Sequence, residues 1–374
     1  MATCITSIPK IVAILTSQPA ATLGGVEHVV RELVKGLELR GYEVMVLDRG
    51  NAAPRWLRHP NGCLVRGFSD LLLSWYLGRK LRNCRGRELA AVISNGPVGW
   101  YIPSVKGSSP KKLHFYHGTY RAQAEAIRPF IKHRGYLKLK WCDSMLIERS
   151  CGSGKQVLCN SEQTREEVQR FFGHQAITTW CPLDTCHFRP LDQSTSRREL
   201  GLPEQGRVAL FVGSTHPMKG FPIVRSLIRS LPNVRWVLAL RGSTPMDLPG
   251  NAEIKIFQDA AYDLLPKLYS AADFAVVPSR YEAFGYVVAE AIACGTPPIS
   301  SHGGASRLFL RESPLDRLLI EDGDDSDSYL ITARAILNDI PRFRQAVIEK
   351  ARPTMVRTMA PENWWPRFLE VTGL

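Results

Sequence analysis

No apolar stretch in this chain approaches the roughly 18 residues that a membrane-spanning helix requires. Its first residues, Met1 to Pro9, lack a charged start followed by a long apolar stretch, so no secretory leader is expected. Nine cysteines are present, an odd number, and none forms a C-x-x-C pair; Cys181 and Cys186 lack the spacing of a zinc knuckle. Reduced, mostly buried thiols in a cytoplasmic protein are the expectation. The fingerprint G-x-G-x-x-G of dinucleotide-binding folds is missing. Gly152-Ser-Gly154-Lys155-Gln156 fails the phosphate-loop pattern, because residue 149 is Arg rather than Gly and Gln156 stands where Ser or Thr is needed. No His, Cys and carboxylate cluster argues for a metal site, and no metal or cofactor is expected. There is no short repeat, and no basic motif interleaved with aromatics that would mark a nucleic-acid module.

What is there begins with length. At 374 residues the chain exceeds the size at which one core stops growing, so two domains are expected. Its 44% hydrophobic and 22% charged residues are ordinary for a soluble globular protein. The net charge of +13 is unevenly placed. Residues 1–190 hold 27 Lys and Arg against 14 Asp and Glu, whereas residues 191–374 hold 21 of each. Nearly all the excess lies in residues 49–155, with 20 basic against 5 acidic side chains, including Arg79, Lys80, Arg82, Arg85, Arg87, Lys111 and Lys112. Residues 128–140 mix Arg128, Lys132, Arg134, Lys138 and Lys140 with Phe130, Ile131, Tyr136, Leu137 and Leu139. A basic face on one half implies an anionic partner for that half, and this segment reads either as a surface resting on anionic lipid or as an ordinary helix.

The periodicity alternates between strand and helix. Lys10 to Leu15 reads as a buried strand; Val26, Val29, Val30, Leu33 and Leu37 recur at helical spacing before a capping Gly41, and Val44 to Leu47 is the next strand. Ala90 to Ser94 and Leu113 to Tyr116 are further strands, and Arg165 to Phe172 is a helix with Thr164 as its cap. A second alternation has strands at Val208 to Val212, Arg235 to Leu240 and Ile254 to Phe257, then a helix at Leu264 to Ala271. Pro182 to Ser196 reads as the linker. Each half is a βα alternation of the kind that builds an open parallel sheet.

The most informative stretch is Pro278-Ser-Arg-Tyr-Glu-Ala-Phe-Gly-Tyr-Val-Val-Ala-Glu-Ala-Ile-Ala-Cys-Gly-Thr-Pro. It follows the apolar strand Phe274 to Val277, and Val287, Val288, Ala291 and Ile292 have helical spacing. Glu282 thus falls at a strand-to-helix junction and Glu290 about two turns along the helix, roughly 12 Å away or a little less. That is about the span of a sugar, a diphosphate and a ribose. The N–H groups of the first helical turn would lie between the two acids, where an anion is favoured. A bland alternative is a buried strand–helix unit whose glutamates face solvent.

With its flanking residues this pair resembles the E-x7-E element of the retaining family-4 glycosyltransferases (glycosyl transferases group 1). The resemblance extends to Leu23-Gly-Gly-Val-Glu-His28, to His117-Gly118 and to Phe211-Val-Gly-Ser-Thr-His-Pro-Met-Lys219-Gly220. It implies an α/β fold of the GT-B type, two Rossmann-like domains facing a central cleft. The implied division is an acceptor-binding domain over residues 1–188, a nucleotide-sugar-binding domain over 189–355, and a last helix over 356–374 that returns to the first domain. By resemblance, Glu282, His117 and Lys219 are the catalytic residues. Donor binding falls to Glu290 on the ribose, Glu282 on the sugar with Ala283, Phe284 and Gly285, and Lys219 on the diphosphate with Gly213 and Ser214. Gly24 and Gly25 would bring backbone to the ligand. Each has an ordinary alternative: a tight turn for Gly24 and Gly25, a structural His117, a solvated Lys219.

The resemblance further implies a nucleotide-diphosphate sugar as co-substrate, retention of anomeric configuration, no metal, and a carbohydrate or lipid-linked acceptor, in keeping with cell-envelope polysaccharide synthesis at the inner membrane face. One departure stands out. The family has an arginine directly after the glycine, and this chain has Ser214, so one cationic phosphate contact is missing unless His216 or Arg280 replaces it. A catalytically silent nucleotide-sugar-binding or scaffold protein is therefore the alternative function. Asp325-Ser-Asp327 matches the metal-binding D-x-D of GT-A enzymes, but it sits in an acidic loop with no strand before it and reads as solvated.

Overall fold

The computed structural model of the chain describes residues 9–19, 24–58, 69–84, 87–243, 245 and 247–374. Leu23, Arg85 and the residues preceding Pro9 lie outside these. By contact the chain divides into two compact units, Met1–Cys181 with Trp365–Leu374, and Pro182–Trp364.

The first unit holds β1 (Ile11–Leu15), β2 (Glu43–Leu47), β3 (Leu89–Asn95), β4 (Lys111–Tyr116), β5 (Gln156–Cys159) and β6 (Ala176–Thr178) in one parallel sheet of order β2-β1-β3-β4-β5-β6. β1 is buried along its whole length, as expected for a parallel strand covered on both faces. The helix Gly25–Glu38 buries Val29, Val30, Leu33 and Leu37 on one stripe. It ends where Gly41 takes φ +82° and Tyr42 N–H reaches back to the Leu37 carbonyl. The helix Glu162–Phe172 starts earlier than its periodicity indicates: Ser161, not Thr164, is the cap, its hydroxyl accepting from Thr164 N–H at 3.1 Å. From His133 to Gly152 the chain is helical throughout, and its central part, Lys138–Glu148, is wound as a π-helix.

The final residues belong to this unit. Trp365 fills a notch at Gly36, where an added Cβ would lie 1.9 Å from the indole. The Arg40 guanidinium stacks 4.4 Å from the same ring, and Gln156 Nε2 donates to the Val371 carbonyl at 2.6 Å.

The second unit carries β7 (Arg207–Gly213), β8 (Val234–Leu240), β9 (Ile254–Gln258), β10 (Phe274–Val277), β11 (Pro298–Ser301) and β12 (Leu319–Ile320), parallel and in the order β12-β11-β10-β7-β8-β9. Beneath the sheet, Asp273 accepts from Val208 N–H at 2.8 Å and pairs with the buried Arg197 at 3.2 Å. This carboxylate ties the start of β7 to the start of β10. Asp325 of the D-x-D string has a structural task, since its side chain accepts from Asp327 and Ser328 N–H and caps the helix Ser326–Asn338. Among the described residues, no helix is long and apolar enough to cross a membrane.

Candidate functional site

The strand order of the second unit fixes where a ligand can sit. The chain runs outward from β7 to β8 and β9, then crosses back to lay β10 against the other edge of β7. The loops that leave β7 and β10 therefore diverge, and the crevice beyond such a switch point is where open α/β sheets bind ligands. Lys219 follows β7 and Glu282 follows β10. Lys219 Nζ lies 2.8 Å from Glu282 Oε2, with both side chains part-buried.

The two loops are strapped together. Lys219 ends the short turn Pro217–Lys219, which His216 caps by accepting Met218 N–H on Nδ1 at 3.2 Å. Arg280 N–H donates to the Met218 carbonyl at 2.9 Å, and its guanidinium donates to the Pro217 carbonyl and pairs with Asp324. Gly220 has φ +65°, and a Cβ there would lie 1.8 Å from the Pro278 carbonyl. Only glycine permits this approach, and the approach sets Lys219 beside Glu282. His216 and Arg280, the two residues that could stand in for the cation missing at Ser214, are thus both engaged in holding the turn.

Beyond Glu282 the backbone is not helical until Tyr286. Gly285 takes φ +90° and gives the helix Tyr286–Ala293 no side-chain cap. Its amino end therefore presents backbone N–H groups and a partial positive charge. The Phe284 carbonyl accepts Ala305 N–H at 2.5 Å, and a Cβ on Gly304 would come within 2.2 Å of that carbonyl. Packing against Gly304 thereby fixes the path of Ala283 to Gly285. Because the helix starts late, Glu290 is its fifth residue, just over one turn in rather than two.

Glu290 is buried. Its Oε2 accepts from the Tyr269 hydroxyl at 2.7 Å. Burial raises its pKa to about 7, against the lowering pull of the Tyr269 hydrogen bond and the Arg241 charge. Arg241 leaves the end of β8, and its N–H donates to the carbonyl of Gly213, the last residue of β7, at 3.0 Å. Ser214 follows Gly213, part-buried and without charge.

In the first unit, His117 follows β4. Its Nε2 lies 3.0 Å from Asn95 Oδ1, and Asn95 Nδ2 donates to the Leu15 carbonyl at 3.3 Å. With the amide nitrogen committed to a carbonyl, Asn95 Oδ1 accepts, so His117 carries its proton on Nε2 and keeps Nδ1 as an acceptor. Burial lowers the His117 pKa to about 3, and the ring is neutral. Gly24 precedes the helix Gly25–Glu38 in extended backbone, and a Cβ there would lie 2.0 Å from Glu27 Oε2. The Glu27 carboxylate is folded over that helix end and already supplies it with a negative group.

The structure thus gathers Gly213, Ser214, Lys219, Glu282, Ala283, Phe284, Gly285 and Glu290 in the second unit, and holds His117, Gly24 and Gly25 in the first. Tyr269, Arg241 and Asn95 were not singled out from sequence. Asn95, a polar residue directly after an apolar strand, carried a readable signal; Tyr269, 21 positions before Glu290, carried none.

Residues 192–354 match the family described as Glycosyl transferases group 1, and residues 23–182 match Glycosyltransferase Family 4. A D-inositol 3-phosphate glycosyltransferase of Segniliparus rotundus is 32% identical over 331 residues, 75% of this chain and 70% of that protein. One from Geodermatophilus obscurus is 30% identical over 199 residues, 47% of this chain and 44% of that protein. In that match and in one from a Mycobacterium species, covered over 40% of its length, the chain spans under half of the relative. Among solved structures, sucrose-phosphate synthase from Thermosynechococcus elongatus aligns with a TM-score of 0.76 at 19% identity, over 97% of this chain and 98% of that one. Anabaena HepE in complex with UDP and glucose aligns with a TM-score of 0.66 at 14% identity, over 98% and 100%. These likenesses show the fold: two parallel six-stranded sheets with helices, the GT-B architecture.

Proposed function

Because this chain belongs to the family-4, group 1 glycosyl transferases, we propose that it moves a sugar from a nucleotide-diphosphate sugar to a hydroxyl acceptor. The observation that carries this reading is the Lys219–Glu282 pair at the switch point of the second sheet, next to an uncapped helix end and one turn from the buried Glu290. In this reading Glu290 accepts the ribose hydroxyls. The first-turn amides and Lys219 meet the diphosphate, with Gly213 and Ser214 lining its approach. Glu282 takes hydroxyls of the sugar, helped by the backbone of Ala283 to Gly285. Lys219 and Glu282 neutralise one another before the donor arrives; the diphosphate then draws the ammonium group away and releases the carboxylate to the sugar.

Transfer in this reading retains configuration. The acceptor oxygen bonds to the anomeric carbon on the face from which the phosphate leaves, and the acceptor proton passes to the departing phosphate oxygen. Negative charge grows on that phosphate as the bond breaks, and fixed N–H groups and Lys219 aimed at it lower the barrier, so no metal is required by this scheme. Neutral His117 contributes hydrogen bonds rather than charge. Gly24 and Gly25 contribute backbone once the Glu27 carboxylate turns aside. The excess of basic residues in 49–155 favours an anionic acceptor, free or lipid-linked, and the relatives' name includes D-inositol 3-phosphate.

Thermal denaturation with UDP-, GDP-, ADP- and TDP-sugars tests the proposal, since a ligand that binds only the folded form raises the melting temperature. One of them is expected to do so, and Glu282→Gln is expected to abolish transfer. No shift with any at millimolar concentration overturns the reading, and binding without turnover on any acceptor favours the scaffold alternative.

A further inference from the structure

Ser214 stands where the family carries an arginine, and the sheet places a different arginine beside it. Gly213 and Leu240 face one another in the parallel ladder of β7 and β8. Ser214 and Arg241 are the next residues of the two chains, so they leave the sheet side by side, roughly 4.8 Å apart. Arg241 N–H donates to the Gly213 carbonyl at 3.0 Å and extends the ladder one bond past the last strand pair. The charge that residue 214 does not carry is thus present one strand over.

The backbone that carries Arg241 is held on both sides. Asp259, just past β9, donates its N–H to the Leu240 carbonyl at 2.8 Å, and its carboxylate accepts Gly242 N–H at 3.3 Å. Gly242 takes φ +82°, a left-handed conformation that turns the chain immediately after Arg241. The Arg241 side chain is exposed. Its charge nevertheless reaches the buried Glu290 and pulls that carboxyl's pKa down. Arg241 therefore borders both parts of the donor site: the diphosphate approach at Gly213 and Ser214, and the acid assigned to the ribose.

We propose that the Arg241 guanidinium grips the phosphate nearest the ribose, in place of the cation missing at residue 214. The inference rests on the donor reading of this site and adds a residue to it. A guanidinium presents a planar fork of N–H donors that matches two phosphate oxygens. With the backbone pinned, only the side chain has to be ordered when the phosphate arrives. The phosphate nearest the ribose keeps its charge throughout transfer, whereas new charge grows on the phosphate that held the sugar. Arg241 therefore serves binding of the donor and of the departing nucleotide alike, while Lys219 serves the barrier.

The test is titration of the full chain with UDP, GDP, ADP and TDP, each beside its monophosphate and its nucleoside, and steady-state kinetics with the sugar donor of the base that binds. Arg241→Gln should weaken the diphosphate and the monophosphate alike by about tenfold or more and leave the nucleoside unchanged. Lys219→Gln should spare the monophosphate. In turnover Arg241→Gln should raise KM by about the same factor with kcat within about threefold of the parent, because the contact is made equally before and during bond breaking. Arg241→Lys keeps the charge without the fork and should fall between parent and Arg241→Gln. Adding Ser214→Arg to Arg241→Gln returns a guanidinium to the neighbouring strand and should recover most of the lost affinity. The melting temperature of each variant without ligand should match the parent. Diphosphate binding by Arg241→Gln within threefold of the parent, or an equal loss for the nucleoside, overturns the inference and leaves the donor reading standing. A parent that binds none of the nucleotides overturns the donor reading and this inference with it.

Discussion

Glu290 makes a prediction in which stability and donor binding move in opposite directions. Its carboxyl is buried, accepts one hydrogen bond from Tyr269, and has a pKa raised from 4.5 to about 7. A raised acid destabilises the fold as pH climbs. Below the unfolded value of 4.5 both states are protonated and nothing is lost; between 4.5 and about 7 the unfolded chain ionises first, and above about 7 the loss is complete. The full difference is about 3 kcal/mol at pH 8. Glu290→Gln keeps an acceptor for Tyr269 and has no proton to lose. It should therefore melt several degrees higher than the parent at pH 8 and only slightly higher at pH 5, because about 1 kcal/mol of stability changes a melting temperature by 2–4 °C in a unit of this size. Ribose hydroxyls donate best to the ionised carboxylate, so donor affinity in the parent should rise as pH rises through 7, and Glu290→Gln should bind weakly at every pH. Tyr269→Phe removes a bond that holds the pKa down and should move the parent's binding transition to higher pH. The assay is a pH series of melting curves with and without nucleotide sugar. Parent and Glu290→Gln melting in parallel from pH 5 to 8, or donor affinity flat across that range, would refute the reasoning.

Three further outcomes are expected. Lys219→Gln should lower kcat by about 100-fold or more while donor affinity changes less, since a cation aimed at the leaving phosphate acts mainly in the transition state; a kcat within threefold of the parent would remove Lys219 from the chemistry. Arg280→Ala should loosen the turn that carries Lys219 and raise KM for the donor by about tenfold, roughly the loss of a charge-assisted hydrogen bond, whereas Asp324→Asn breaks a pair whose acid is largely exposed and should shift stability by less than about 1 kcal/mol; steady-state kinetics and melting curves separate these, and equal effects would contradict the strap. Asp273→Ala leaves Arg197 buried without its partner and should destabilise the second unit by about 3–5 kcal/mol, read by denaturant unfolding; a loss under 1 kcal/mol would show that Arg197 is satisfied by its carbonyl contacts alone.

Much of this was legible from residues. The strand Phe274–Val277 followed by Glu282, Gly285 and Glu290 declared the strand-to-helix junction and its helix, because an apolar run and a helical stripe need only local spacing; that the junction lies at a switch point follows only from the strand order. β5 and β6 are as short or shorter and lack the unbroken apolar run of Phe274–Val277, so the sequence does not declare them. The periodicity points to Thr164 as a cap where Ser161 does the work, since both are hydroxyl residues at a plausible helix start and only geometry separates them. The placement of Lys219 on Glu282 was not readable: it depends on Gly220 approaching the Pro278 carbonyl, a contact between loops 58 positions apart.

Residues 365–374 belong to the first unit, seating Trp365 on Gly36 and Val371 on Gln156. Ribosomal synthesis is vectorial, so the first sheet emerges long before its own last piece. At 5–20 residues per second the intervening Pro182–Trp364 delays that piece by roughly 10–40 s. Throughout that interval the groove at Gly36 stands without its tryptophan, and a nascent chain of this protein should be a client of holdase chaperones until translation passes Trp365.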